Sequence, residues 1–528
     1  MERRLFLLTA ARLAALGAGL TGAGPGNGAG PGSGNSAYPF SLGVASGSPL
    51  PDAVVIWTRI LFDPLDAAAM PPLALAVRWE VAEDAAFSRG IASGSATAVP
   101  ELAHSVHVDV TGLAPGRWYW YRFMLGDAVS PAGRTRTAPA ADSLPALLKL
   151  AVASCQHWEY GAYAAHRHIA AAAPDLVAFL GDYIYEWGPY RLQHPAAPTR
   201  TAESFTLAEY RARYAQYKSD TDLQAAHQAA PWIVTWDDHE VANDYGNDRD
   251  ERLDPNFLQR RGAAYQAFYE HMPLRLSLPD ARGYAHMRIY QRYDWGRLAR
   301  FHVLDDRQYR AHHACPKPGR GGSNSVSARE CPDLLAGGRS MLGLEQQAWL
   351  EGGLKSSTAR WNIIAQQTLM AQASQVPLRS DGDGRFWTDG WDGYPLARQQ
   401  LFDALQASKA ANPLVLSGDV HTFYAAELSA DPRRPASAQN PLIASEFCGT
   451  SITSASRPQA RTEQIVANNP HLKYGRSDTR GFMLLDVTPD KTTALFQGLA
   501  NVHDRESAVA TLASFSVSDG KPGIVSQR

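Results

Sequence analysis

The stretch Leu176-Val177-Ala178-Phe179-Leu180-Gly181-Asp182-Tyr183-Ile184-Tyr185 decides the fold. Its apolar run is too short for a buried helix, and it passes directly into a glycine, a carboxylate and a phenol. Such a run reads as a strand buried on both faces, with its polar residues just beyond the carboxyl end. The arrangement recurs along the chain. Leu147 to Ser154 stops at Cys155, and Trp232 to Trp236 stops at Asp237-Asp238-His239-Glu240. Leu298 to Leu304 runs into Asp305-Asp306-Arg307, Leu414 to Ser417 runs into Gly418-Asp419-Val420-His421, and Asn362 to Ala365 is a further strand. Longer Ala-rich helical stretches separate these strands, which makes residues 141–528 an α/β region. Ligands of open α/β sheets bind outside the carboxyl ends of the strands, so the polar clusters are expected on one rim.

Upstream the rhythm is different. Between Phe40 and Thr137 short alternating strands follow one another: Ala53 to Thr58, Leu75 to Val81, Ser105 to Val110 and Trp118 to Phe123. They predict a separate N-terminal all-β sandwich domain over residues 37–140, joined through the Pro/Ala-rich hinge Pro139 to Pro145. The aromatic stripe Trp118-Tyr119-Trp120-Tyr121 reads as core rather than as a ligand platform.

The first residues, MERRLFLLTAARLAALGAGL, place two arginines before a mildly apolar run that Arg12 interrupts. That order is a targeting peptide, and the run falls short of a membrane-spanning helix, so no permanent membrane anchor is expected. Arg3-Arg4-Leu5-Phe6-Leu7 resembles a twin-arginine export signal, although Glu2 and Leu8 stand where Ser/Thr and Lys are usual. An ordinary secretion signal is the alternative. Residues 1–36 are therefore assigned to signal and Gly-rich linker, with the twin-arginine export machinery as a partner and a periplasmic or secreted destination.

Over the 528 residues, 50 Lys and Arg nearly balance 52 Asp and Glu, for a net charge of -2. No basic field exists to hold a polyanion, which excludes a nucleic-acid scaffold role. Four cysteines without a CxxC pair exclude a disulfide-dense scaffold and a structural zinc site. Cys315 and Cys331 flank a Gly/Ser/Arg-rich loop that a disulfide would close in an exported protein; two free thiols is the alternative.

The strand ends carry the chemistry. Two end in Gly-Asp and two in Asp-Asp, with no lysine in any of the four clusters, and unpaired carboxylates repel unless a cation sits among them. Asp419 and His421, two apart, share a side in extended chain, and a helical turn would bring Asp182 and Tyr185 together. Thiolate and phenolate from Cys155 and Tyr185 suit trivalent iron, while carboxylates suit calcium or magnesium. Arg307 and Arg310 are placed either to grip phosphate or to pair with Asp305 and Asp306. His166 and His168 read as an ordinary helix face, and His312 and His313 as solvated loop residues.

Together, Ala153-Ser154-Cys155, Gly181-Asp182-Tyr183-Ile184-Tyr185, Trp236-Asp237-Asp238-His239-Glu240-Val241, Leu304-Asp305-Asp306-Arg307-Gln308-Tyr309-Arg310 and Ser417-Gly418-Asp419-Val420-His421 resemble the motif set of PhoD-type alkaline phosphatases. Phe40-Ser41-Leu42-Gly43-Val44-Ala45-Ser46-Gly47-Ser48-Pro49, followed by Val55-Ile56-Trp57-Thr58-Arg59, resembles that family's N-terminal signature. The resemblance implies a metallophosphoesterase-type catalytic domain, a two-sheet sandwich flanked by helices, with one Fe(III) and Ca2+ as cofactors. It implies export and hydrolysis of small-molecule phosphate esters at alkaline pH. Carried over residue by residue, Cys155, Asp182 and Tyr185 match the iron ligands, with Asp182 bridging to calcium, and Asp419 and His421 match the last metal motif. Asp238 stands where the wider superfamily has an Asn ligand, with Asp237 as the alternative. His239 matches the catalytic His, which hydrogen-bonds the phosphate or protonates the leaving oxygen; orienting Asp238 is its alternative role. Purple acid phosphatases share the Gly-Asp-x-x-Tyr spacing but would have Asp at Cys155 and His at Asp419. A phosphodiesterase acting on phospholipid-like or nucleotide-like diesters, and a non-enzymatic binding protein stiffened by calcium, are the other readings. Leaving-group selectivity is expected in loops such as Pro189 to Glu203 and Asp381 to Tyr394.

Overall fold

Alternation along the central strands sets the layers. In Leu148–Ala153, Leu148, Leu150 and Val152 face one core while Ala151 and Ala153 face another. Trp361–Ala365 and Pro413–Ser417 do the same: Ile363, Ala365, Leu414 and Leu416 point to the first core, and Ile364 and Val415 point away from it. A strand that is apolar on both faces needs cover on both, and two sheets packed face to face with helices outside supply it. The computed structural model of the chain describes residues 38–64, 66, 70–187, 202–276, 279 and 281–527. The expected export signal over residues 1–36 and residues 189–201 of the Pro189 to Glu203 loop lie outside the described residues.

The ten-stranded sheet runs, edge to edge, through Lys521–Gln527, Val509–Ser518, Lys491–Leu499, Gly481–Val487, Leu148–Ala153, Leu176–Phe179, Trp232–Val234, Val44–Gly47, Ala53–Arg59 and Ser105–Thr111. The seven-stranded sheet runs through Gln291–Trp295, Ala299–Val303, Trp361–Ala365, Pro413–Ser417, Leu442–Cys448, Phe423–Ser429 and Leu472–Arg476. The six strands expected from the sequence divide three to each sheet and pair in parallel within each. Phe179 lies opposite both Ala153 and Val234, and Ala365 opposite both Val303 and Leu416, so the carboxyl ends are level in each sheet. Between the sheets, Phe301, Phe447, Phe496 and Phe515 join the aliphatic core. Helices Ala164–Ala171, Leu207–Lys218, Thr221–Ala229 and Phe257–His271 cover the first sheet, and Gly343–Lys355, Pro395–Ser408 and Gln459–Asn468 cover the second. Among the described residues no helix is long and apolar enough to cross a membrane.

The N-terminal region corrects one expectation. Gly90–Ala98, Leu75–Ala82, Trp118–Leu125, Ala128–Val129 and Gly133–Arg136 form a five-stranded sheet. Tyr119, Tyr121 and Phe123 from that sheet pack on Val54, Ile56, Val106 and Val110, so one face of the aromatic stripe is core, while Trp118 and Trp120 are half-buried on the other. The region is not separate, however. Val44–Gly47, Ala53–Arg59 and Ser105–Thr111 continue the ten-stranded sheet, with Gly47 paired in parallel with Trp232. The cause is in the strand Ala53–Arg59, buried at every residue. Val54 and Ile56 face the N-terminal core, whereas Trp57 packs with Ala215 and donates to the Glu270 carbonyl at 3.0 Å. A free-standing two-layer sandwich would have left that second face in water. Cys315 and Cys331 are disulfide-bonded.

Candidate active site

The level strand ends bring the sequence-selected residues to one place. Cys155 follows Ala153, Asp182 follows Phe179, and Asp237 to His239 follow Val234; Asp419 and His421 come from the other sheet. Ligand atoms of Cys155, Asp182 and His421 lie within 4.8 Å of one another, and so do those of Asp182, Asp238 and His239, and of Asp237, Asp238 and Asp419. The Tyr185 hydroxyl donates to Asp182 Oδ2 at 2.9 Å and lies 3.1 Å from His421 Nε2. All seven residues selected from the sequence, Cys155, Asp182, Tyr185, Asp238, His239, Asp419 and His421, therefore belong to one connected cluster. Asp182 is common to the group with Cys155 and His421 and the group with Asp238 and His239.

The backbone that presents them is unusual. Cys155, Asp182, Asp419 and His421 have φ of 61°, 57°, 61° and 52°, a left-handed conformation that costs a non-glycine residue about 1–3 kcal/mol. Asp419 and His421 therefore do not share a side by extended chain, and Asp182 meets Tyr185 through bends rather than through a helical turn. Gly181, at φ 102°, lies so close to Asp237 that an added Cβ would stand 2.4 Å from the Asp237 Cβ. The strain is held by polar stitches. Glu240 accepts from the backbone N–H of Asp182 at 3.0 Å, Tyr183 at 2.5 Å and Asp237 at 2.7 Å. Gln367, from the other sheet, donates to Thr235 Oγ1 at 2.8 Å and to the Trp236 carbonyl at 2.6 Å, which ties the two rims together.

The family described as PhoD-like phosphatase matches residues 150–496, and its N-terminal domain matches residues 28–139. Alkaline phosphatase D of Bacillus subtilis (strain 168) is 42% identical over 541 residues, covering 99% of this chain and 88% of that protein. A solved structure reported as "Structure of PhoD" superposes with a TM-score of 0.85 at 41% identity, covering 93% of each chain. The chain belongs to the PhoD-like phosphatase family. It is an enzyme, a phosphoric-ester hydrolase of the alkaline phosphatase type.

In this phosphatase six residues besides those seven complete the cluster: Arg307, Arg310, Asp389, Asp244, Glu186 and His313. Arg307, fully buried, bonds Asp237, donates to Asp389 at 2.7 and 2.9 Å and to Asp419 at 3.0 Å, and lies 3.5 Å from Asp238. Of the two alternatives, pairing with Asp305 or Asp306 is not seen: the Arg307 guanidinium goes to the other carboxylates. Asp305 accepts the backbone N–H of Arg307 and Gln308, and Asp306 accepts from Thr368. Arg310 also turns to Asp389, at 2.9 Å. Asp389 lies in the Asp381 to Tyr394 loop, where no strand-end pattern marks it. Asp244 packs against Asp238 and Asp389 and is held by Ser323. Glu186, the residue after Tyr185, accepts from His239 Nδ1 at 2.7 Å and from Asn243 N–H at 2.8 Å. His313, expected in solvent, is buried against Arg310 and Asp389 at 3.0 Å each, because its loop folds inward beside the disulfide.

Charge is crowded here. Burial pushes Asp237 and Asp419 up despite Arg307, and burial followed by the Asp182 charge pushes the Cys155 thiol and the Tyr185 hydroxyl well up. Burial would also raise Asp182, but the charge of His239 and the bond from His421 outweigh it and bring it to about 2. Burial opposes the charge on His239, but Glu186, Asp238 and Asp182 outweigh it and hold the imidazolium well above the ordinary His range. His421 Nδ1 lies 2.6 Å from the Ala455 carbonyl, which orients the ring so that Nε2 faces Tyr185 at 3.1 Å and Asp182 at 4.0 Å.

Proposed function

We propose that this phosphatase is an exported, metal-dependent phosphoesterase that hydrolyses small-molecule phosphate monoesters, and with them diesters, at alkaline pH to release phosphate. The observation that carries the reading is the convergence of thiol, phenol, imidazole and carboxylates on Asp182. The donor set fits the metals. Buried Asp237 Oδ2 and Asp238 Oδ1 make no hydrogen bond, and Cys155 and Tyr185 will ionise only beside a cation. Cys155, Asp182, Tyr185 and His421 would hold Fe(III), a thiolate and phenolate set suited to a trivalent ion. Asp182, Asp238 and Asp419 would hold Ca2+, a ligand set of hard oxygens. Asp238 is preferred to Asp237 because it belongs to the Asp182 group and Asp237 does not. When bound, the ions supply Lewis acidity that takes up charge on phosphoryl oxygens and acidifies water.

The chain's own residues do the rest. Glu186 keeps His239 protonated, so that His239 can donate to the phosphate or deliver its proton to the leaving oxygen. Arg307 stays with the carboxylates and positions Asp237 and Asp419 rather than gripping phosphate. Export through the twin-arginine machinery to a periplasmic or secreted location is supported by Arg3-Arg4 and by the Cys315–Cys331 disulfide, which suits an oxidising compartment. The test is hydrolysis of a paired aryl monoester and diester at alkaline pH, with and without a calcium chelator, on protein whose iron and calcium content is measured. Chelator-sensitive turnover is expected. Folded, metal-replete protein that turns over neither ester refutes the reading.

A further inference from the structure

A cavity of about 300 Å3 opens beside the cluster, with Asp419 in its wall. Trp387, Trp391 and Val420 line it with Arg457 and Arg461. Trp391 is buried, whereas Trp387 is 43% exposed and forms an aromatic surface on the cavity. The two arginines differ from their neighbours. In the adjoining grooves Arg398 is paired with Asp392 and Arg433 with Asp431, at 2.7 Å each. Among the described residues Arg457 has no carboxylate at ion-pair distance, and Arg461 reaches only the neutral Gln375 and Gln464, at 3.3 and 3.4 Å. Their segment is tied to the cluster loop. His421 bonds the Ala455 carbonyl, and Thr422 lies 3.3 Å from Ser456 Oγ, so Arg457 follows directly on two contacts with the residues after Asp419.

We propose that this cavity is the leaving-group site, and that it selects phosphate esters whose alcohol has a flat apolar body carrying a second anionic group. The inference rests on the phosphoesterase reading above. An ester bound at the cluster must project its alcohol outward, and this cavity shares Asp419 with the cluster. Trp387 supplies a face for a flat group, and Arg457 and Arg461 supply two cations for the anion. A charge-assisted contact of this kind is worth roughly tenfold in selectivity.

The test compares kcat/KM for phenyl phosphate and 3-carboxyphenyl phosphate at one alkaline pH, in the wild-type holoenzyme and in Trp387→Ala, Arg457→Gln/Arg461→Gln and Arg457→Lys/Arg461→Lys. The expected wild-type preference is about tenfold for the carboxylated ester. The Gln pair should bring the ratio close to one, the Lys pair should restore part of it, and Trp387→Ala should raise KM for both esters. A wild-type ratio near one, or a ratio that survives in the Gln pair, overturns the proposal while leaving the phosphatase intact. Wild-type protein that hydrolyses neither ester removes the underlying reading, and the proposal with it.

Discussion

Replacing Glu186 by Gln removes one negative charge from the Nδ1 side of His239 and leaves a side chain of the same shape. Glu186 Oε2 lies 2.7 Å from His239 Nδ1, and both residues are buried. A hydrogen bond to a charged group contributes about 1.5–3 kcal/mol, so the preference of His239 for its protonated form falls by roughly 10- to 150-fold. The sign follows from the folded protein. His239 is held above the ordinary His range, so its proton is fully present at low pH and is lost as pH rises through the raised value. With Gln at position 186 that loss comes at lower pH. The alkaline limb of kcat/KM therefore moves toward neutrality, the deficit is largest at alkaline pH, and the two enzymes converge where both hold the proton. Gln retains an acceptor for Asn243 N–H, so the fold and the metal content should be kept. The assay is a pH profile of aryl monoester hydrolysis with metal content and melting temperature measured in parallel. An unmoved alkaline limb, or an equal loss at every pH, refutes the role assigned to the pair.

Asp182→Ala should abolish turnover, by more than the roughly 100-fold cost of disturbing a ligand's outer support, and should lower bound iron and calcium together; near wild-type turnover would remove Asp182 as the shared ligand. Gly181→Ala places a Cβ 2.4 Å from Asp237 Cβ at φ 102° and should lose activity and soluble yield, whereas Gly43→Ala, at φ 70° with only the flexible Gln224 side chain at 3.2 Å, should cost less; equal behaviour would contradict the packing account. Cys331→Ser opens a loop with a sequence separation of 16, worth about 3 kcal/mol; the loop carries Ser323, and His313 lies just before it. A lower melting temperature and reduced activity are expected, and a reductant should reproduce both in the wild type.

What the sequence made legible is the set of strand ends. Short apolar runs closed by Gly-Asp or Asp-Asp need no tertiary information to be read, and parallel pairing with level registers then forces their termini together. The residues that escaped have no local signature. Asp389 reaches the cluster across 82 residues to meet Arg307, and Asp244 is held by Ser323 from 79 residues away. Glu186 was adjacent to a selected residue, yet only the fold shows that its carboxylate meets His239. The boundary of the N-terminal region escaped for a related reason. Ala53 to Thr58 is apolar on both faces, which reads equally as a sandwich strand and as a strand shared between two bodies, until Trp57 is seen against Ala215.

Arg307 explains why a lysine-free cluster is not simply an anionic one. Its guanidinium bonds Asp237, Asp389 and Asp419 and lies near Asp238, so one fixed cation serves four carboxylates, and Arg310 shares Asp389. One guanidinium cannot compensate all of them, and burial pushes Asp237 and Asp419 up in consequence. On the other side the buried Arg480 is spent on the Ser451 hydroxyl and the Ser454 and Ser477 carbonyls, and it bonds none of the donor atoms of Cys155, Asp182, Tyr185 or His421. Cys155, Asp182 and His421 sit on left-handed backbone, and Asp182 has the imidazoles of His239 and His421 beside it and no guanidinium bond. That side carries three of the strained residues and no guanidinium bond, so it is where a bound cation contributes most to cohesion. Removing metal should therefore raise amide exchange first at residues 153–156, 181–185 and 418–422, while the segment around Arg307 and Asp389 keeps its protection. Uniform loss across both sides would show that Arg307 does not stabilise its own half of the cluster.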